Sequence, residues 1–255
     1  MKFHYIVLLL FVSTSCKKQP VTQAQNHIKT EAESTASTIQ FSGYTWNVTN
    51  AISRKQGPGP NYFNSSNAFV DANGLLHLKL TKNTSNGKWY CAEVATQQSF
   101  GYGTYQWWVE GPIDKLNKNV VLGFFNYSGF DGYDEMDIEY ARWGNSANNN
   151  LDYTIYPDRD EAGFSPTETT KNIILNGTYT TQRFKRTASS VYEQSLHGFT
   201  NTNTNQYASF TVNKPPNSVS KYSMPILINL WLFNGAAPSD GKDIEIIIHK
   251  FTYTP

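Results

Sequence analysis

Short apolar runs separated by turn residues are the feature that most restricts how this chain can fold. From Phe41 onward, segments such as LLHLKLT, GTYQWWVEG, NVVLGFFNYSG and DIEIIIHKFTY are rich in β-branched and aromatic residues, with Gly, Asn, Pro and Ser clustered between them. No segment keeps a helical apolar period over three turns. Short strands with regularly spaced turn signals are typical of a two-sheet sandwich. The sequence therefore predicts one all-β domain over residues 41–255.

The first residues have the features of an export signal. Lys2 begins a short positive region, residues 5–12 are apolar but too few to cross a bilayer, and small residues precede Cys16. The segment FVSTSCKK resembles a bacterial lipoprotein signal, although Ser13 stands where the usual leucine would be. The resemblance implies removal of residues 1–15, lipidation of Cys16, and an anchored location in the bacterial cell envelope, at the outer membrane or in the periplasm. An ordinary secretory signal with an incidental cysteine is the alternative.

Residues 16–40 predict a flexible tether between that anchor and the domain. The segment is polar and has too few large apolar side chains to offset the entropy lost on ordering. A short helix over HIKTEAEST is the alternative. The protein is therefore expected to contact the membrane only through the lipid on Cys16. It is also expected to be a monomer.

Charge and composition restrict the classes of molecule that this protein is expected to bind. The formal net charge is +1 and 16% of the residues are charged, so no basic surface for nucleic acid is predicted. A neutral partner is expected, and the 15% of aromatic residues suit either sugar stacking or core packing. Cys91 is predicted to be a small buried residue without a disulfide partner. No cofactor and no metal site are predicted, and nothing in the sequence locates a structural calcium ion.

The segment DEMDIEY, residues 134–140, combines three acids with apolar neighbours. On a strand, residues two apart share one face, so Glu135, Asp137 and Glu139 point one way and the intervening residues point into the core. An amphipathic strand with an acidic surface is the simple alternative. Against it, like charges on one face repel, the segment lacks a neutralising cation, and acids are poor strand formers. Such a set of broken local rules predicts a functional site.

Glycoside hydrolysis requires two carboxyl groups on either side of the bond to be cleaved. They lie about 5–5.5 Å apart when configuration is retained and about 6.5–9.5 Å apart when it is inverted. Along a flat strand the Cα atoms of Glu135 and Glu139 would lie about 13 Å apart. Two long side chains on the concave face of a curved sheet can converge, and Asp137 between them can share a hydrogen bond. The spacing favours a retaining pair.

DEMDIE resembles the active-site signature of glycoside hydrolase family sixteen, which includes lichenases, laminarinases, agarases, carrageenases and xyloglucan transglycosylases. CAEV at 91–94, GYGTY at 101–105, GFFNYSG at 123–129 and INLWLFNG at 228–235 resemble strands that accompany that signature. The resemblance implies a concanavalin-like jelly-roll sandwich of two curved antiparallel sheets with a cleft on the concave face. It also implies that Glu135 is the nucleophile, Asp137 its assisting acid, and Glu139 the general acid and base, with a raised pKa.

The same resemblance implies a set of substrate-binding residues, with Trp231 as a stacking platform and Asn229 as a hydrogen-bonding group. The others are Tyr127, Phe125, Tyr133, Glu93 and Trp143. For each aromatic residue, simple core packing is the alternative. Two departures leave the substrate open: Ala95 stands where many lichenase-like members have arginine, and the usual tryptophan-rich hairpin is missing.

The function predicted from these residues is a retaining, endo-acting polysaccharide hydrolase. A transglycosylase that shares the first half-reaction remains an alternative, and so does a non-catalytic carbohydrate-binding or adhesive protein. Dinucleotide-loop, P-loop and G-x-S-x-G motifs are not found in the sequence.

Overall fold

The computed structural model describes residues 37–255, which form strands joined by short turns. The predicted signal peptide, the lipidation site at Cys16 and nearly all of the predicted tether lie outside the described residues. The strands are β1 Ser37–Phe41, β2 Tyr44–Val48, β3 Ala51–Gln56, β4 Asn61–Phe63, β5 Ala68–Val70, β6 Leu76–Lys82, β7 Trp89–Phe100, β8 Gly103–Glu110, β9 Val120–Tyr127, β10 Glu135–Ala141, β11 Leu151–Ile155, β12 Thr167–Lys171, β13 Tyr179–Arg186, β14 Ser190–His197, β15 Gln206–Asn213, β16 Met224–Leu232 and β17 Ile244–Thr254.

All strands but two form two antiparallel sheets; the short β3 and β4 pair with each other, and β4 also pairs in parallel with β7. The front sheet has the order β1-β2-β7-β16-β9-β10-β11-β12, and the back sheet has the order β5-β6-β17-β8-β13-β14-β15. The first part of β7 also pairs with β6, which joins the two sheets at one edge. This curved, all-β arrangement confirms the predicted jelly-roll sandwich.

The first strand begins earlier than the sequence indicated. β1 starts at Ser37, whereas the domain was predicted from residue 41. The reason is a tight hairpin in which Ser37 pairs with Val48 and Phe41 with Tyr44. Phe41 is buried, so this hairpin is fixed to the core although its outer end is polar.

Aromatic side chains fill the space between the sheets. Trp107 of β8 lies 5.6 Å from Phe124 of β9, 5.5 Å from Phe184 of β13 and 5.4 Å from Phe251 of β17, measured between ring centroids. All four are essentially inaccessible to solvent. Burial of large aromatic surface is the main stabilising term in such a core.

A polar network also lies between the sheets, directly behind β10. Tyr140 of β10 donates a hydrogen bond to Gln182 Oε1 on β13 (2.9 Å), and Tyr153 of β11 donates to Ser195 Oγ on β14 (2.7 Å). Ser195 Oγ in turn donates to Gln182 Oε1 (2.6 Å). Because these groups are buried, the bonds hold the front and back sheets in one register.

Cys91 is fully buried, as predicted, and burial raises the pKa of its thiol to about 12. Among residues 37–255, no helix is long and apolar enough to span a bilayer.

Candidate active site

The central acids lie on β10 and face away from the core. Met136, Ile138 and Tyr140 are completely buried between the sheets. Glu135 and Glu139, on the opposite face, are half-buried, and the shorter Asp137 between them is 6% exposed. The alternation of the strand therefore places all three carboxyl groups on the outer face of the front sheet.

Neighbouring strands extend this face on one side of β10. In the β9 register, Tyr127 pairs with Glu135, Phe125 with Asp137, and Gly123 with Glu139. In the next strand, Asn229 of β16 pairs with Gly123. Paired residues share a face of the sheet, so these side chains border the acids.

Glu93, Asn229 and Gly123 form a row that leads to Glu139. Thr49 Oγ1 donates a hydrogen bond to Glu93 Oε1 (2.9 Å), and Asn229 Nδ2 donates to Glu93 Oε2 (3.3 Å). Burial raises the pKa of Glu93, and these two hydrogen bonds oppose the shift. Asn229 is 3% exposed, and its Oδ1 has no hydrogen-bond partner among residues 37–255. The row thus presents a fixed, unpartnered acceptor beside Glu139.

The electrostatics of the site are dominated by burial and by like charge. Burial raises the pKa of Glu135 to about 8, and the negative charge of Glu139 acts in the same direction. A hydrogen bond with Asp137 opposes the shift, and Asp131 adds to it. The raised pKa found here is that of Glu135, and the raised pKa expected at Glu139 stays a prediction. With its pKa near 8, Glu135 keeps its proton at neutral pH in this structure.

Three of the predicted aromatic residues lie on β9 or on the loop that follows it, and they differ in their exposure to solvent. Tyr127 is half-buried beside Glu135, its hydroxyl donates to Asp131, and burial and Asp131 raise the pKa of its hydroxyl. Tyr133 is 41% exposed on the loop between β9 and β10. Phe125 is only 8% exposed, so it contributes mainly to the floor of the site.

Trp231 and Trp143 form a wall at the other end. Trp231 is 8% exposed, and its ring centroid lies 6.2 Å from that of Trp143. Trp143 also contacts Phe233 edge-on, with 5.6 Å between centroids. Trp231 is thus largely covered, and a β-carbon on Gly59 of a neighbouring loop would lie 3.4 Å from its Cζ3.

Residues of β11, together with Tyr156 directly after it, complete the site, and the sequence did not predict them. Asp152 pairs with Glu139 and Thr154 with Asp137, and the Tyr156 backbone N–H donates to the Glu135 carbonyl. Burial, followed by the charges of Asp137, Glu135, Glu139 and Asp152, raises the pKa of the Tyr156 hydroxyl. The segment LDYTIYP contains these residues at alternate positions, and this alternation was the only indication in the sequence that they share one face of a strand. What the sequence did not reveal was that β11 is the partner of β10.

The described residues 37–255 contain no group of three or more His, Cys, Asp or Glu side chains arranged to hold a metal ion.

The fold belongs to a structural class shared by glycoside hydrolases of the β-glucanase type. A β-glucanase from Bacillus licheniformis superposes with a TM-score of 0.62 at 18% identity, over 87% of this chain and 100% of that one. A glycoside hydrolase family sixteen protein of Bacteroides ovatus, solved with a mixed-linkage glucan product, gives 0.62 at 15% identity, over 82% and 94% of the two chains.

A third similar structure is described differently. It is an immunostimulatory antigen and pseudo β-1,3-glucanase of Mycobacterium tuberculosis, with a TM-score of 0.59 at 17% identity over 82% of this chain and 91% of that one. No protein-family profile matches the chain, and no curated protein matches it in sequence. At identities this low, the structural similarity establishes the fold alone.

Proposed function

We propose that this protein is a retaining, endo-acting glycoside hydrolase that cleaves O-glycosidic bonds in a polysaccharide. The observation that carries the proposal is the β10 face, on which two half-buried glutamates flank a buried aspartate, and on which burial and the charge of Glu139 raise the pKa of Glu135 to about 8. A retaining glycosidase needs one ionised and one protonated carboxyl group at the start of the reaction. Binding of a sugar requires no such arrangement of mutually repelling acids.

In the proposed reaction the proton of the site lies on Glu139 once substrate is bound, and the ionised Glu135 attacks the anomeric carbon. The bond from that carbon to the departing oxygen breaks, and Glu139 gives its proton to that oxygen, which leaves a covalent glycosyl-enzyme. The ionised Glu139 then takes a proton from water, which attacks the same carbon and releases Glu135 as a carboxylate. Two displacements on one carbon retain its configuration. The hydrogen bond with Asp137 stabilises the ionised form of Glu135.

The substrate is proposed to be a neutral polysaccharide of the β-glucan or β-galactan type. The face carries many acids, which disfavour an anionic chain. Tyr127 and Tyr133 supply accessible aromatic surface along it, and the largely buried Trp231 forms part of its wall. The Bacteroides ovatus protein with a similar fold is described in complex with a glucan product, which supports this class of ligand.

The test is turnover of a panel of laminarin, mixed-linkage glucan, agarose, carrageenan and xyloglucan by the full-length protein. We expect Glu135→Gln to abolish turnover of the active substrate and to leave its binding measurable. Glu245→Gln, on β17 of the back sheet, is the matched control and should retain activity. Undiminished hydrolysis by Glu135→Gln would falsify the assignment of the nucleophile.

Azide distinguishes the roles of the two glutamates. In Glu139→Ala, azide should replace water and give a glycosyl azide of retained configuration. In Glu135→Ala, direct attack by azide on an activated glycosyl donor should give the inverted product. If Glu139→Ala gave the inverted azide and Glu135→Ala the retained one, the roles of nucleophile and general acid would be exchanged.

A second function, carbohydrate binding without catalysis, is favoured by one observation, namely that a protein with a similar fold is described as a pseudo β-1,3-glucanase. Under this alternative, the wild type and Glu135→Gln would bind an oligosaccharide equally well and neither would hydrolyse it. Transglycosylation would instead give elongated products from the wild type when an acceptor sugar is present.

The protein is further proposed to be exported and anchored in the cell envelope through lipid on Cys16. Cys16→Ser should abolish metabolic labelling with a fatty-acid probe, and Cys91→Ser should not. Labelling that persists in Cys16→Ser would remove the anchor from the proposal.

A further inference from the structure

A second concave site lies on the outer face of the back sheet, facing away from the acids of β10. It has a volume of about 420 Å³ and is lined by side chains of β8, β13, β14 and β17 and by the loop that follows β14. We call this site the back groove. Its lining contains hydroxyl, amide and cationic groups and no carboxylate.

The back groove is built by strand alternation, as the β10 face is. On β13, Phe184 points into the core, so its neighbours Arg183 and Lys185 point outward. Across β8 and β17, Gln106 pairs with Arg183 and with Thr252. The floor is therefore a continuous polar patch over adjacent strands.

Arg183 holds in place the loop after β14, which forms one wall of the back groove. Its guanidinium group donates to the carbonyl oxygens of Thr200 (3.1 Å) and Thr202 (3.3 Å) and to Asn203 Oδ1 (2.8 Å), all in the loop after β14. It also donates to Gln106 Oε1 on β8 (2.7 Å). These bonds hold the loop over the sheet and leave Arg183 only 7% exposed.

All acceptors of Arg183 are neutral, and no ion pair of Arg183 is formed within residues 37–255. Removing a cation from water without a counter-charge is unfavourable, and burial accordingly lowers the pKa of Arg183. A buried, uncompensated cation gives the groove a positive potential that an anionic ligand would neutralise.

The groove also has groups that are free to contact a ligand. Lys185 is exposed, and its ammonium group has no partner among the described residues. The hydroxyl groups of Thr104, Thr252 and Thr254 likewise make no hydrogen bond in this part of the chain and line the same groove. A charged donor beside several hydroxyl groups suits a ligand that combines an acidic group with many hydroxyls.

We propose that the back groove binds a saccharide that carries a sulfate or carboxylate group. The acidic group would contact Lys185 within the field of Arg183, and the sugar hydroxyls would contact the threonine and amide side chains. The proposal does not depend on catalysis at β10. The two sites differ in charge, since the β10 face is acidic and the back groove is cationic.

The experiment is calorimetric titration of the full-length protein with three probes: a sulfated κ-carrageenan tetrasaccharide, a tetragalacturonate and neutral laminaritetraose. We expect at least one acidic probe to bind, more weakly as salt is raised. Lys185→Ala should weaken that binding about 10-fold, the loss expected for one charged hydrogen bond, and Lys185→Glu should abolish it. Lys242→Ala, which changes an exposed lysine just before β17 and outside the groove, is the matched control and should bind as the wild type does.

Which acidic probe binds distinguishes a sulfate from a carboxylate ligand. Absence of binding by both acidic probes would overturn the proposal. So would acidic binding that is unchanged in Lys185→Ala, because the ligand would then occupy another surface. Loss of neutral laminaritetraose binding in Lys185→Ala would show a groove for neutral sugar and would overturn the acidic assignment.

Discussion

Asn229 Oδ1 lies 2.6 Å from the point that a β-carbon on Gly123 would occupy. No real β-carbon approaches another atom so closely, so the amide can lie over β9 only because residue 123 has no side chain. Gly123 is also the β9 partner of Glu139. The position of Asn229 beside the acids therefore depends on one glycine in the intervening strand.

Gly123→Ala is the first prediction. The added methyl group should displace the Asn229 amide and weaken its hydrogen bond to Glu93, and kcat/KM should fall about 10-fold or more, as expected for loss of about 1.4 kcal/mol of fixed polar contact. Gly101→Ala is the control, since a β-carbon there would meet only Ser223 Oγ at 3.4 Å. An equal fall in both variants would indicate general damage to the fold.

A second prediction concerns the hydroxyl group that holds Glu93. Thr49→Val keeps the shape of the side chain and removes the donor to Glu93 Oε1. Loss of this bond should raise the pKa of Glu93 further, free its carboxyl group to turn, and lower kcat/KM by about 3–10-fold. Thr49→Ser retains the donor and should stay close to the wild type. If the two variants behave alike, the hydroxyl group has no role in the site.

The third prediction is a basic limit of activity. The Glu135–Glu139 pair keeps its proton up to about pH 8, so kcat/KM should fall as pH rises through that value. Burial is the main cause of the raised pKa of Glu135, and Glu139→Gln removes the negative charge that adds to it. With an aryl glycoside, whose leaving group needs no acid, the rate of this variant should therefore rise with pH through a pKa below 8. A rate that is independent of pH in the variant would contradict the coupling.

The fourth prediction concerns Glu193 of β14, which is completely buried between the sheets. Neither of its carboxyl oxygens has a hydrogen-bond partner among residues 37–255, and burial, with Asp137 and Asp152, raises its pKa well above the usual value. The unfolded chain ionises Glu193 above about pH 4.3, whereas the folded chain keeps it protonated, so stability is lost as pH rises.

Glu193→Gln should remove this loss. At pH 4 its Tm should equal that of the wild type. At pH 8 it should be several degrees higher, since each kcal/mol moves the Tm of a domain of this size by about 2–4 °C. Thermal unfolding at both pH values provides the measurement and its internal control. A lower Tm at pH 8 would mean that Glu193 has a stabilising partner.

The sequence predicted the parts of the site that lie on single strands. Alternation alone assigned Met136 and Ile138 to the core and Glu135 and Glu139 to the opposite face, because the strand period is a local property. The fold class followed from the same periodicity and the spacing of turns.

The parts of the site that depend on which strands pair with each other could not be predicted from the sequence. Asp152 and Tyr156 lie beside the acids because β11 pairs with β10, and alternation within LDYTIYP does not identify a partner strand. The raised pKa of Glu135 also depends on burial by surrounding segments, as does the limited accessibility of Trp231. The back groove requires Arg183 to hold a loop that lies about 20 residues further along the chain, a contact that no local pattern indicates.

The hydrogen bond from Tyr140 to Gln182 has a consequence for how such a protein can diversify. β10 is held from behind by the opposite sheet, so a shift of its acids along the strand would also break a buried bond across the interior. Natural variants of this scaffold should accordingly keep the spacing of the acids and acquire new substrate preferences by exchanging the loops at the rim.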